Sequence, residues 1–228
     1  MIPYFFDSSI LFLLPALLLA GWAQLRVSST FDRYSRVTTR RGVTADQVAR
    51  MLLDRFGLTS VPINKVGGQL TDHYDPRDKS LSLSDSVYGS SSIAAIGVAA
   101  HEVGHAIQNS TDYVPFGIRN SIVPVVGVAS SMAMPLFFFG LLFRGPVLMD
   151  IGIFLFLGVV IFHLVTLPVE FNASSRAVAV LAQTGTLDSD ELRGARKVLN
   201  AAAWTYVAAT LMAVMQLVRL LALRNSRD

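Results

Sequence analysis

The sequence predicts a mainly α-helical membrane protein, with about four transmembrane helices and a small α+β extramembrane insertion, and three observations carry that prediction. Hydrophobic residues make up 52% of the 228-residue chain and charged residues only 15%, too few to cover a water-facing surface unaided. Four apolar blocks are each long enough to cross a bilayer core, which takes about 20 helical residues. Between the first and second blocks the composition turns polar, and its hydrophobic periodicity becomes that of an amphipathic helix and then of strands.

The first block runs from about Ile2 to Leu25, interrupted by Asp7 and Pro15. It lacks a basic leading region and a small-residue cleavage site, so it is expected to stay as an anchor. In the polar stretch that follows, Thr44 and Gln47 form a capping-box pair, with Val48, Met51, Leu52 and Phe56 on one helical face and Gly57 as the stop. From Val61 to Ser84 the pattern alternates. Gly67-Gly68 and Asp75-Pro76-Arg77-Asp78 supply turn chemistry, and Leu81 and Leu83 share a strand face, which predicts a small sheet or hairpin. Ser90 to Ser92 can cap a helix running from Ile93 to about Asn109, in which alanine and glycine allow close packing.

The second block, Phe116 to Phe143, and the third, Val147 to Val169, are separated only by Arg144-Gly145-Pro146 and read as a transmembrane hairpin. The fourth, about Ala201 to Leu223, contains Gln216 and Arg219, so an amphipathic interfacial helix is its alternative reading. The expected organisation is therefore a first span over 1–25, an extramembrane α+β region over 26–115, the hairpin over 116–169, an extramembrane helical segment over 170–200, and a last span with its tail over 201–228.

The absence of cysteine excludes disulfides, thiolate catalysis and cysteine-based metal sites. The net charge of +3 is modest, and the basic residues flank apolar blocks instead of forming one patch, so no nucleic-acid partner is expected. They act as topology signals. Ten Lys or Arg lie between Arg26 and Lys79 and four between Arg176 and Lys197, against only Arg144 in the hairpin turn. Both polar segments are thus expected in the cytoplasm and the N-terminus outside.

The chemical signal is His101-Glu102-Val103-Gly104-His105. On a helix the two histidines lie four positions apart on one face, so both imidazoles can reach one ion, and Glu102 emerges beside them. In zinc hydrolases of this HExxH pattern the glutamate takes a proton from the water that the metal activates and passes it to the leaving amine. A catalytic Zn2+ needs a third protein ligand, and no third histidine follows at the short metzincin spacing. The candidates are carboxylates, or His73 and His163. Glu170 is foremost because it closes the third apolar block, and a returning hairpin brings it to the same side of the membrane as the histidines. The competing reading is that Glu170 only marks the membrane boundary. His73, beside Asp72 and Asp75, is a candidate for steadying an oxyanion or else an exposed turn residue. His163 in the third block is equally explained by a hydrogen bond to a neighbouring helix. Arg176 is a candidate for a peptide carbonyl or for a lipid headgroup.

Three stretches carry a resemblance: Leu70-Thr71-Asp72-His73-Tyr74-Asp75-Pro76, Ala99 to Gln108 around the HExxH, and Leu167 to Ala177. On these the chain resembles the YugP-like zinc metallopeptidases, membrane proteins of bacteria, and more distantly the HtpX-type membrane proteases. The resemblance implies a zinc metalloendopeptidase in the bacterial cell membrane, with its active site on the cytoplasmic side and peptides or proteins, membrane proteins among them, as substrates. It carries the third ligand, a glutamate in an E-x-x-x-D pattern, onto Glu170. The chain departs from that pattern at Ser174, where the aspartate would orient a ligand histidine, leaving Ser174, Asn172 or another residue for that task. The expected site is then Glu102 and His73 as catalytic residues and His101, His105 and Glu170 on zinc. The alternative from another class is a non-catalytic membrane adaptor with a structural or sensory zinc site. A transporter is disfavoured because no span carries a series of ionisable residues.

Overall fold

A computed structural model of the chain describes residues 8–226, so the expected start of the first span, Ile2 to Asp7, lies outside the described residues. A 3-10 turn at Ser8–Leu13 leads into α1 (Leu14–Ser35), followed by α2 (Ala45–Arg55), β1 (Ile63–Val66), β2 (His73–Asp75), β3 (Ser80–Ser84), α3 (Ile93–Ser110), α4 (Val114–Phe143), α5 (Pro146–Thr184) and α6 (Ser189–Asn225). Four stretches, Ser9–Ser35, Val114–Phe143, Pro146–Thr184 and Ser189–Asn225, are long and apolar enough to cross a membrane. The expected class, helical with four spans and a small sheet, is the class observed.

The chain divides into two compact units. The first comprises, of the described residues, 8–24, 117–168 and 205–226. Its outward surface is apolar: Leu18 is 74% exposed and Phe154 73%, as expected of side chains solvated by lipid. Inside it α4 packs closely on α5. A Cβ added at Gly152 would stand 2.8 Å from the Ala133 carbonyl oxygen, the small-residue approach that membrane helices use. Phe137, Met149 and Leu220 form a buried cluster in this unit, and Arg224 pairs with Asp150 at 2.9 Å.

The second unit comprises residues 25–116 and 169–204. Its sheet has the order β1-β3-β2, with β1 parallel and β2 antiparallel to β3. The central strand is buried on both faces, Ser80, Ser82 and Ser84 as well as Leu81 and Leu83. The side chain of Ser92 caps α3 by accepting from the Ala95 N–H at 3.2 Å, and the Thr44 N–H donates to Gln47 Oε1 at 3.2 Å at the start of α2. The buried face of α2 differs from the sequence expectation. Met51 and Phe56 are 43% and 42% exposed, and Ala45, Ala49 and Leu53 are buried beside Val48 and Leu52. The reason is close packing: three alanine and leucine positions let α2 approach the alanine-rich α3, which the larger Met51 and Phe56 would hold off.

Three helices outrun their apolar blocks, α1 to Ser35, α5 to Thr184 and α6 from Ser189. Elongating a nucleated helix costs little, and the extensions bury Ala177, Leu181, Ala195 and Leu199 in the core of the second unit. Asp188 and Glu191 close a reciprocal cap at the start of α6, each accepting a backbone N–H of the other at 2.9 Å.

Candidate metal centre

α3 and α5 build the site within the second unit. They meet backbone to backbone at Gly104, where an added Cβ would lie 2.6 Å from the Ala173 carbonyl oxygen. That approach sets the histidine face of α3 directly against the Glu170 turn of α5. The two imidazoles, one helical turn apart, sit edge to face with ring centroids 4.8 Å apart, and Phe116 stacks on His105 at 5.9 Å.

Glu170, only 2% exposed, is the point on which both rings converge. Its Oε2 is 3.2 Å from His101 Nε2 and 3.6 Å from His105 Nε2. Among the described residues these three are the histidines and carboxylates whose ligand atoms gather, all within 4.8 Å of one another. Two imidazole nitrogens and a carboxylate oxygen are a donor set that suits zinc. Ligand atoms at about 2.1 Å from a tetrahedral ion stand about 3.4 Å apart, close to the two separations found around Glu170. The residues fit the ion.

The outer nitrogens are held as well. His101 Nδ1 lies 3.1 Å from Ser174 Oγ and His105 Nδ1 2.9 Å from Gln108 Oε1. Gln108 is completely buried. Its Nε2 donates to the Val169 carbonyl at 2.8 Å and to Asn172 Oδ1 at 3.0 Å, and Asn172 Oδ1 also accepts from Arg176 Nε at 2.8 Å. Arg176 lies over the Tyr113 ring at 5.8 Å. Of the residues left open for steadying a ligand histidine, Ser174 touches His101, whereas Asn172 acts at one remove through Gln108.

Glu102 is buried on the same helix. Burial above all pushes its carboxyl up, to about 7; His101 opposes the shift, Glu170 and Asp72 add to it, and a hydrogen bond from the Tyr74 backbone N–H opposes it. The strand β2 that supplies this N–H is tied to α3 a second time, where Asn109 Nδ2 donates to Tyr74 Oη at 2.9 Å. His73, the preceding residue on β2, is exposed, with Nδ1 2.8 Å from the Thr71 carbonyl. Neither His73 nor His163 belongs to the converging group.

Sequence reasoning passed over Gln108 and the Tyr74 N–H. Gln108 had a signal, since it stands three residues after His105 and seven after His101, on the metal-facing side of one helix. The Tyr74 N–H had none, because a strand's backbone direction depends on its partner.

A model of the family described as "Putative neutral zinc metallopeptidase" matches residues 9–225. The chain is 47% identical over 214 residues to a Bacillus subtilis (strain 168) protein named "Putative membrane protease YugP", covering 93% of this chain and 95% of the relative. No solved structure matches it.

Proposed function

The chain belongs to the neutral zinc metallopeptidase family, and on that premise we propose that it is a membrane-embedded endopeptidase with His101, His105 and Glu170 on zinc and Glu102 as general base. The observation that carries this reading is the convergence of two Nε2 atoms on one buried carboxylate while both Nδ1 atoms are engaged elsewhere. A ring that donates through Nδ1 presents its Nε2 lone pair inward. Three gathered ligands leave a fourth position for water, which favours a catalytic site over the closed four-ligand site of a structural adaptor.

His101, His105 and Glu170 would hold a zinc ion, which would supply Lewis acidity toward a water and the scissile carbonyl. Glu102 removes a proton from that water as oxygen adds to the carbonyl carbon, then delivers it to the amide nitrogen as the C–N bond breaks. His73 on the neighbouring strand steadies the oxyanion between the two steps. Glu170 follows Pro168 at the end of the apolar part of α5, so the site lies at the membrane surface of a bacterial cell, on the cytoplasmic side that the basic segments select. Peptides and proteins close to the bilayer, membrane proteins among them, are its substrates.

Glu102→Gln tests the reading. Hydrolysis of a casein or membrane-protein substrate is expected to fall about 10²–10⁴-fold, with about one zinc per chain retained by elemental analysis and an unchanged thermal midpoint. Undiminished cleavage by this variant removes Glu102 as the base.

A further inference from the structure

A second site lies away from the metal centre, where α1 and α6 leave their apolar stretches. Arg26, Ser29, Thr30 and Arg33 occupy the i, i+3, i+4 and i+7 positions of one face of α1, and Lys197 and Asn200 stand a turn apart on α6. All six line one concavity of about 350 Å³ within the second unit, a volume in the range of small-ligand sites. Among the described residues no acidic one lines it. Tyr34 also lines it and joins the two helices there, because Gly194 brings the α6 backbone against the Tyr34 ring: a Cβ at Gly194 would meet Tyr34 Cε1 at 2.8 Å. The cations therefore come from parts of the chain far apart in sequence and are gathered by packing.

The depth of this concavity is marked independently. The only two tryptophans of the chain are Trp22, one turn before Arg26 on α1, and Trp204, one turn after Asn200 on α6. Both are exposed. Tryptophan concentrates at the headgroup level of a bilayer, and beyond Trp22 the exposed surface of α1 is leucine, with Leu17 and Leu18. Three cations and three neutral hydrogen-bonding side chains thus sit on the polar side of an aromatic boundary. We infer that Arg26, Arg33 and Lys197, with Ser29, Thr30 and Asn200 between them, bind the phosphate of one anionic phospholipid headgroup. A basic segment that serves only as a topology signal needs no concavity and no interleaved hydroxyl and amide groups. This inference does not depend on the protease reading.

The test uses the full chain in neutral detergent, titrated with phosphatidylglycerol, with phosphatidylcholine and separately with inorganic phosphate, and read by native mass spectrometry and thermal unfolding. Phosphatidylglycerol is expected to remain as one adduct per chain and to raise the unfolding midpoint, while phosphatidylcholine and millimolar inorganic phosphate do neither. In the triple variant Arg26→Gln, Arg33→Gln, Lys197→Gln the affinity should drop about fivefold per cation, about a hundredfold in all. The triple variant Arg36→Gln, Arg41→Gln, Arg55→Gln removes the same charge from exposed positions outside the concavity and should bind as the wild type does. Equal loss in both triples would mean diffuse attraction and overturn the site. Equal binding of phosphatidylcholine would overturn it too, and full competition by inorganic phosphate would reduce it to an anion site without lipid. If the first triple is recovered unfolded, Lys197→Glu, a change at an exposed side chain, carries the same expectation.

Discussion

The amide of Gln108 has only one orientation that satisfies its surroundings. Its Nε2 faces two acceptors, the Val169 carbonyl and Asn172 Oδ1, so Oε1 is left to accept from His105 Nδ1. A buried side chain whose two N–H donors are both engaged thereby fixes the tautomer of a candidate ligand histidine. Gln108→Ala leaves the His105 Nδ1 without its acceptor and removes the tie between α3 and the Val169 carbonyl of α5. The expected result is a loss of about 1–3 kcal/mol in stability and a 10–100-fold loss in zinc affinity, measured by thermal unfolding and by titration against a competing chelator. His101 leans on a weaker support, the neutral hydroxyl of Ser174. A carboxylate there would make the imidazole a stronger donor to the metal. Ser174→Asp should tighten zinc and Ser174→Ala should loosen it, each by about tenfold. Equal affinities in all three proteins would show that Ser174 does not support His101.

Among the elements, α3 carries the site and depends on one atom pair. Gly104 admits the Ala173 carbonyl where any Cβ would overlap it, so Gly104→Ala must push α3 off α5 and draw both histidines from Glu170. Overpacking of this kind costs about 1–3 kcal/mol, or a thermal midpoint lower by several degrees, and zinc binding should weaken with it. Gly97→Ala is the matched control on the same helix, because its nearest neighbour is Ala195 Cβ at an ordinary 3.5 Å. A similar loss in both variants would point to general crowding of α3 and away from the approach to α5, since alanine is the better helix former at both positions. This scale also shows what the sequence could reveal. The spacing of His101 and His105, the start of α3 after Ser92 and the four long apolar helices all follow from local periodicity and capping, and each was legible. The buried face of α2, the strand order β1-β3-β2 and the reach of α5 beyond Val169 were not, since they are decided by which surfaces meet across long separations in sequence. Glu170 lay between these cases. Its place at the end of an apolar block was visible, but its approach to α3 rests on Gly104 and Ala173, two residues with no polar signal at all.

At the scale of the whole molecule the chemistry must be set on one side of a bilayer. On the proposed topology a hairpin of two spans returns the chain to the side it left, which would put residues 26–115 and 170–200 in one compartment and Gly145 of the hairpin turn in the other. The basic residues choose which. Ten Lys or Arg in the first of those segments and four from Arg176 to Lys197, of nineteen in the chain, outweigh the cations near the opposite surface. On that opposite side stand Arg144 in the turn and, after the last apolar block, Arg224 and Arg227. The bias concentrates near the ends of the spans, with Arg26, Arg33 and Lys197 directly at them, where the positive-inside preference acts most strongly. A fluorescent protein fused at Gly145 is therefore expected to stay dark and alkaline phosphatase at the same position to be active, with the opposite pair of results for fusions at Gly67. Fluorescence at Gly145 would place the metal centre outside the cell, and substrates would then have to be sought among exported proteins.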